Sequence, residues 1–265
     1  MVILSRELAR NRKSFITWTI SLVSSSILML MFFPYMDLKM DALGDMLKQM
    51  PEGMLSALSL ENMDFSKILS FFAYEFQYIL LFSVIYAMQF GASILSREES
   101  ERTIEFLLAK PVKRSNVVTS KILCLLIYLV AFNIIFAVAD YVTMIAITEQ
   151  SFSMEAFLLL HLGQFLLQLI FAAIGLFISV FVVKSGTIFP LSIGVVLGTY
   201  FISIASGVSE KLTNLKYITP FQYIVPADII KVKRIEPVYL IIMCAVTIIA
   251  ITGTYTFYNR KDIAG

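Results

Sequence analysis

Six stretches of this chain are each long and apolar enough to cross a bilayer: 15–36, 68–95, 117–147, 156–183, 187–207 and 238–258. A helical span needs roughly 20 consecutive apolar residues, and open, unpaired backbone would leave polar groups unsatisfied in lipid. The pattern therefore predicts an all-α polytopic membrane protein with six transmembrane helices. Several stretches carry no polar face, which a soluble helix requires. Composition agrees, with 58% hydrophobic and 15% charged residues against about 45–50% and about 25% in soluble domains. A formal net charge of +2 is too small to make nucleic acid a partner. Cys124 and Cys244 lie inside apolar runs and read as small buried hydrophobes, so neither a disulfide nor a metal site is expected. The first apolar run is too long for a secretory leader and reads as a retained span. With no internal repeat, low-complexity tract or flexible linker, residues 1–265 read as one transmembrane domain.

Six spans place both ends of the chain on one side, and Lys and Arg choose that side. Arg6, Arg10, Arg12 and Lys13 precede the first span. Arg97, Arg102, Lys110, Lys113, Arg114 and Lys121 fall between the second and third, and Arg260 and Lys261 follow the last. These segments share a face, which is expected to be cytoplasmic in a cell membrane. The opposite loop, 37–67, is richer in acids and agrees. Segment 208–237 disagrees, because it should be outside yet holds Lys211, Lys216, Lys231, Lys233 and Arg234. Either the early loops dominate orientation, or this stretch, broken by Pro220, Pro226 and Pro237, dips into the membrane and returns.

The most informative cytoplasmic segment is the loop 96–116. Its first half should be helical, with Ser96 and Glu99 forming a capping box unless the second span runs on into it. Ile104, Leu107 and Leu108 share one face, and Pro111 stops the helix. On pattern alone, a charged loop of this kind can equally be a solvated connector.

This loop resembles that of ABC-2-type transporter permeases, which reads Glu-x-x-x-Gly-Thr-hydrophobic-Glu-x-Leu-Leu-x-x-Pro-hydrophobic-x-Arg. Glu98, Thr103, Ile104, Glu105, Leu107, Leu108, Pro111, Val112 and Arg114 match, and Arg102 replaces the glycine. Residues 215–230 resemble the family's Tyr-hydrophobic-Thr/Ser-Pro-Phe-x-Tyr stretch, and 255–263 its aromatic-then-Arg-Asp ending. The resemblance implies an elbow helix over 1–14 and a coupling helix within 96–116 that docks on an ATPase subunit. Leu107 and Leu108 would anchor it beside Thr103 and Ile104, with Glu98, Glu101 and Glu105 at its rim. It further implies two copies of the ATPase, which bind ATP and Mg, and a second permease, identical or related. This chain itself has no Gly-x-x-x-x-Gly-Lys-Ser/Thr loop, so no cofactor is expected in it.

Ionisable residues inside spans are costly and usually face the bundle interior or a watery cavity. In the family, the second and fifth spans line the route between two permeases, which makes Glu75, Tyr78, Gln89 and Tyr200 pathway candidates. Glu75 could instead snorkel to the outer interface. Asp140 could pair with His161, whose structural reading outweighs a role as ligand or proton carrier. The outer methionines Met46, Met50 and Met54, with Met36, Met40 and Met63 nearby, suit soft Cu(I) but fit an adaptable apolar helix face better.

The leading reading is thus the membrane permease of an ATP-driven exporter for amphipathic or hydrophobic cargo such as a peptide, drug or lipid. The alternative is an ATP-independent secondary transporter or channel, which predicts two related halves that the sequence lacks. An intramembrane enzyme would need a nucleophile–base pair or metal cluster, and one histidine offers little to build with, so no catalytic residue is expected.

Overall fold

The computed structural model describes residues 2–37, 64–101, 113–182, 185–208 and 210–261. Six helices among them are long and apolar enough to cross a membrane, which establishes the all-α polytopic class. The elements are α1 (Val2–Leu30), α2 (Phe33–Asp37), α3 (Ile68–Ser100), α4 (Arg114–Ile147), α5 (Met154–Ser179), α6 (Ser185–Val208), α7 (Pro226–Val232) and α8 (Pro237–Arg260). Two 3-10 turns, Glu210–Tyr217 and Pro220–Tyr223, lie between α6 and α7.

Local chemistry sets the ends. Neither α1 nor α4 contains Gly or Pro, so nothing interrupts them. Pro34 cannot donate a backbone hydrogen bond, and the long first helix gives way to the short α2 just before it. Ser153 caps α5 by accepting from the Ala156 N–H at 3.4 Å, with Glu155 in the first turn. Pro226 and Pro237 open α7 and α8, where a missing N–H costs nothing.

Three helices are longer than the membrane needs. At 29, 33 and 34 residues, α1, α3 and α4 measure about 44, 50 and 51 Å, against a hydrocarbon core of about 30 Å. Their polar overhangs meet at one end of the bundle. This changes two expectations. The helix expected over 1–14 is not set apart from the first span, because α1 runs through without a break. Glu7 and Asn11 are buried there against protein. Similarly, Ser96 caps nothing: α3 continues past it, and its hydroxyl donates to the Ala92 carbonyl at 2.9 Å.

α3 is the central helix and packs most extensively on α5. They cross at two glycines. A Cβ on Gly91 would fall 2.1 Å from the carbonyl oxygen of Ala172, and one on Gly175 would fall 2.4 Å from that of Met88. Backbone-to-backbone approach of this kind requires small residues. Beyond α6, the chain folds back on the bundle and buries Phe221, Tyr223, Ile224, Ala227 and Ile229. Ile224 occupies the space over Gly163, and Thr219 and Gln222 donate to the α6 carbonyls of Thr199 and Ser203 at 2.7 and 2.9 Å. This stretch is therefore built into the bundle rather than strung across its surface.

Candidate functional site

Three groups of polar side chains stand out on this frame. The first gathers the overhanging ends of α1, α3, α4 and α8. Lys121, one turn and more inside α4, is fully buried and holds Glu7 at 3.2 Å and Glu98 at 2.9 Å, while donating to the Ile94 carbonyl at 2.5 Å. Arg10 pairs with Glu101 at 2.5 Å, and Lys261 with Glu99 at 2.6 Å. Arg114 donates to the carbonyls of Asn259 and Lys261 at 3.3 and 2.6 Å, against the C-terminal end of α8 where a cation is favourable. The Tyr128 hydroxyl donates to the Leu8 carbonyl. Of the basic residues assigned to one face from sequence, Arg10, Arg97, Arg114, Lys121 and Lys261 thus converge in space.

Of the residues expected to contact an ATPase, Thr103, Ile104, Glu105, Leu107 and Leu108 lie outside the described residues. Glu98 and Glu101 lie within them. Glu101 is the more exposed partner of its pair. Glu98 was expected at the rim of a partner's pocket, but α3 continues past residue 95 to Ser100 and aims it inward, between α1 and α4, where Lys121 takes it. The methionine series at 40–63 also lies outside the described residues, as does the whole of its loop up to residue 63.

The second group sits toward the other end. Ser26 of α1, Glu75 of α3 and Asp140 of α4 are all fully buried. The Ser26 hydroxyl lies 2.8 Å from Glu75 Oε1 and 2.8 Å from Asp140 Oδ1. A serine has one hydroxyl proton and can donate to only one carboxylate. The second contact is a hydrogen bond only if the other carboxyl is an acid donating to Ser26. His161 approaches Asp140 to 3.7 Å, beyond hydrogen-bond distance, inside a cage of Phe72, Phe76, Phe136 and Phe157. Below it, Asn133 donates to Gln168 at 2.6 Å across α4 and α5. Glu75 neither snorkels outward nor shares a face with Tyr78.

The third group is what remains open on α3. Two thirds of this helix is buried, and most of the rest forms one stripe: Tyr74, Gln77, Tyr78, Leu81, Phe82, Gln89, Ser93 and Arg97. Spacings of three, four and, across the buried Ile85 and Tyr86, seven residues keep such a row on one side of a helix. Tyr78 donates to the Tyr74 hydroxyl at 3.1 Å. Gln77 donates to the Tyr200 hydroxyl of α6 at 3.4 Å, and Tyr200 packs edge-on to Phe221. Tyr78 and Gln89 therefore share a stripe that Tyr200 adjoins from α6, whereas Glu75 belongs to the buried acid pair.

Sequence reasoning missed Ser26 and the hub role of Lys121. A signal existed for the lysine: Val117, Val118, Lys121 and Leu125 share one helical face, so Lys121 had to be buried if its neighbours were. Ser26 stood in a run of three serines, and nothing local distinguished it.

One family comparison bears on these sites. A family model described as ABC-2 family transporter protein matches residues 1–263. No match was found among curated proteins.

Proposed function

The chain belongs to the ABC-2 transporter family, and from that premise we propose that it is the permease subunit of an ATP-driven exporter. It is a multi-pass membrane component of a transport system. In the proposed assembly, two permeases enclose a route along the open α3 stripe and α6, and two ATPase subunits bind ATP and Mg. Both chain termini and loop 96–116 face the cytoplasm of a cell membrane. Cargo is amphipathic or hydrophobic.

The observation that carries this reading is the stripe itself. The most enclosed helix of the bundle keeps one row only partly covered, and that row mixes Tyr, Gln and Ser with Phe and Leu. A purely lipid-facing row would be apolar, and a sealed one would be buried. A lining shared with a second copy suits both polar and apolar residues. At its end, α3 passes directly into the loop that bears Leu107 and Leu108, so a push on that loop acts on the stripe through one continuous helix.

The test is co-purification with a soluble ATPase and cargo-stimulated ATP hydrolysis in reconstituted vesicles. Leu107→Ala/Leu108→Ala should weaken ATPase association at least tenfold, since a buried leucine anchor is worth roughly 1.5–3 kcal/mol. Tyr78→Ala should leave association intact and alter transport. Normal association and transport in the leucine double variant would remove the coupling role. Cysteines introduced at 98–114 should resist labelling from outside sealed cells, and those at 40–60 should react; the reverse pattern would invert the topology.

A further inference from the structure

The lower part of the α3 stripe opens into a cleft of about 140 Å³ between α1, α3 and the first turns of α6. Ser14, Tyr86, Gln89, Ser93 and Arg97 supply its polar wall, and Ile188 and Phe189 its apolar one. A drug-sized pocket is about 300–1,000 Å³, so this space takes a headgroup and not a whole amphiphile.

Its charge is unusual for the end of the bundle where it lies. Arg10, Lys121 and Lys261 each rest against a carboxylate, and Arg114 against carbonyls. Among the described residues Arg97, half-buried at the cleft, donates to the neutral Asn11 Oδ1 at 3.1 Å and makes no direct salt bridge, although Glu101, Glu7 and Glu98 lie close enough to attract it. A guanidinium in such a setting offers a fork of donors matched to phosphate. Gln89, which lines the cleft, adds a carbonyl oxygen with no hydrogen-bond partner among the described residues, an acceptor for a hydroxyl beside that phosphate. Phe189 in the cleft wall and Phe82 farther along the α3 stripe are both about half exposed and offer apolar surface to a chain attached to the headgroup.

We propose that this cleft binds the phosphate headgroup of an anionic amphiphile, with Arg97 as its charge partner, Gln89 and Ser93 as hydrogen-bonding groups and Phe189 beside its tail. As a statement about cargo entering the route it rests on the permease reading; as a binding site it does not. The end of the bundle that carries it is the one placed in the cytoplasm, so the cleft meets the inner leaflet.

The experiment uses the full chain in a neutral detergent and needs no ATPase. Binding of short-chain phosphatidylglycerol, short-chain phosphatidylcholine and inorganic phosphate is followed by native mass spectrometry. Phosphatidylglycerol should bind at least tenfold more tightly than phosphatidylcholine. Arg97→Gln should lose at least tenfold, ~1.4 kcal/mol, and Arg97→Lys should lose less. If Arg97→Gln does not yield folded protein, Ser93→Leu, which fills the cleft without touching a charge, should give the same loss. Equal binding of the two lipids, or full binding by the folded variants, would overturn the site. Inorganic phosphate that competes at the same concentration as phosphatidylglycerol would make this a free-anion site and overturn the amphiphile assignment. A chain that binds phosphatidylglycerol selectively but recruits no ATPase would sink the permease reading and leave this site standing.

Discussion

Helix α4 carries two buried charge-bearing residues, Lys121 and Asp140, 19 positions and about 28 Å apart. Each lies seven residues from an end of the helix, and both are fully enclosed. Around Lys121 the neighbours are ions: two carboxylates from α1 and α3 meet one ammonium, and Arg10 and Arg97 lie nearby. Around Asp140 there is no Lys or Arg within ion-pair distance among the described residues. Instead a second acid and a serine share it. At one end the buried charge meets a counterion; at the other a serine hydroxyl lies between two carboxyls, with His161 3.7 Å from one of them. The difference follows from what the chain brings within reach. Overhanging helix ends are rich in Lys and Arg, whereas Glu75 and Asp140 are met inside the bundle by a serine hydroxyl and a histidine boxed in phenylalanine.

The sharpest way to break this comparison is to strand the lysine's acids. Lys121→Met should destabilise the protein by about 3–5 kcal/mol, because Glu7 and Glu98 remain buried without a cation. Adding Glu7→Gln and Glu98→Gln to it should restore most of the loss, read as thermal unfolding in detergent. A stable Lys121→Met single variant would show that these acids are not ionised. Next in size is a contrast between two double neutralisations. Glu7→Gln/Glu98→Gln leaves Lys121 unpaired and should cost several kcal/mol, on the order of the loss above. Glu75→Gln/Asp140→Asn should cost less, on the order of one hydrogen bond, about 1 kcal/mol, and should abolish the infrared carbonyl band of a protonated carboxyl. Equal losses, or no such band in the parent protein, would erase the distinction between the two ends.

Ser26→Ala removes the hydroxyl that bridges the acid pair and should cost about 1–3 kcal/mol. Ser26→Thr keeps the hydroxyl and should recover part of it, so equal losses in the two variants would make packing, and not the bridge, the cause. The smallest effect is expected at Arg10→Gln. Its pair with Glu101 is half open to solvent and should contribute about 0.2–1 kcal/mol, fading as salt rises. A larger, salt-independent loss would extend the buried network outward to Arg10.

The six spans were legible because lipid imposes length and apolarity on each helix separately, a local demand that local composition answers. Most of their boundaries agree with the helices found to within a few residues, though α1 starts at Val2 and α3 runs on to Ser100, and the convergence of Arg10, Arg97, Arg114 and Lys261 at one end follows from counting crossings. Sites built across helices were less legible. Glu75 and Tyr78 are three residues apart, close enough to read as one face, yet one turns to α1 and α4 and the other to the open stripe. Only neighbouring helices decide on which side of that narrow angle water, protein or a route lies. Glu98 read as part of a solvated loop because the run around it is charged, and Lys121 shows that charge in sequence says nothing of burial once a partner helix supplies the opposite sign.

What the sequence determined by itself is therefore the solvent this chain lives in, the number of helices it threads through that solvent and which ends share a side. The tertiary structure decided which buried ionisable groups meet a counterion and which meet a serine and a second acid, and which row of α3 stays partly open. It decided these because helix–helix crossings such as Gly91 on Gly175 set the rotation of each helix about its own axis, and no local rule along the chain encodes that rotation.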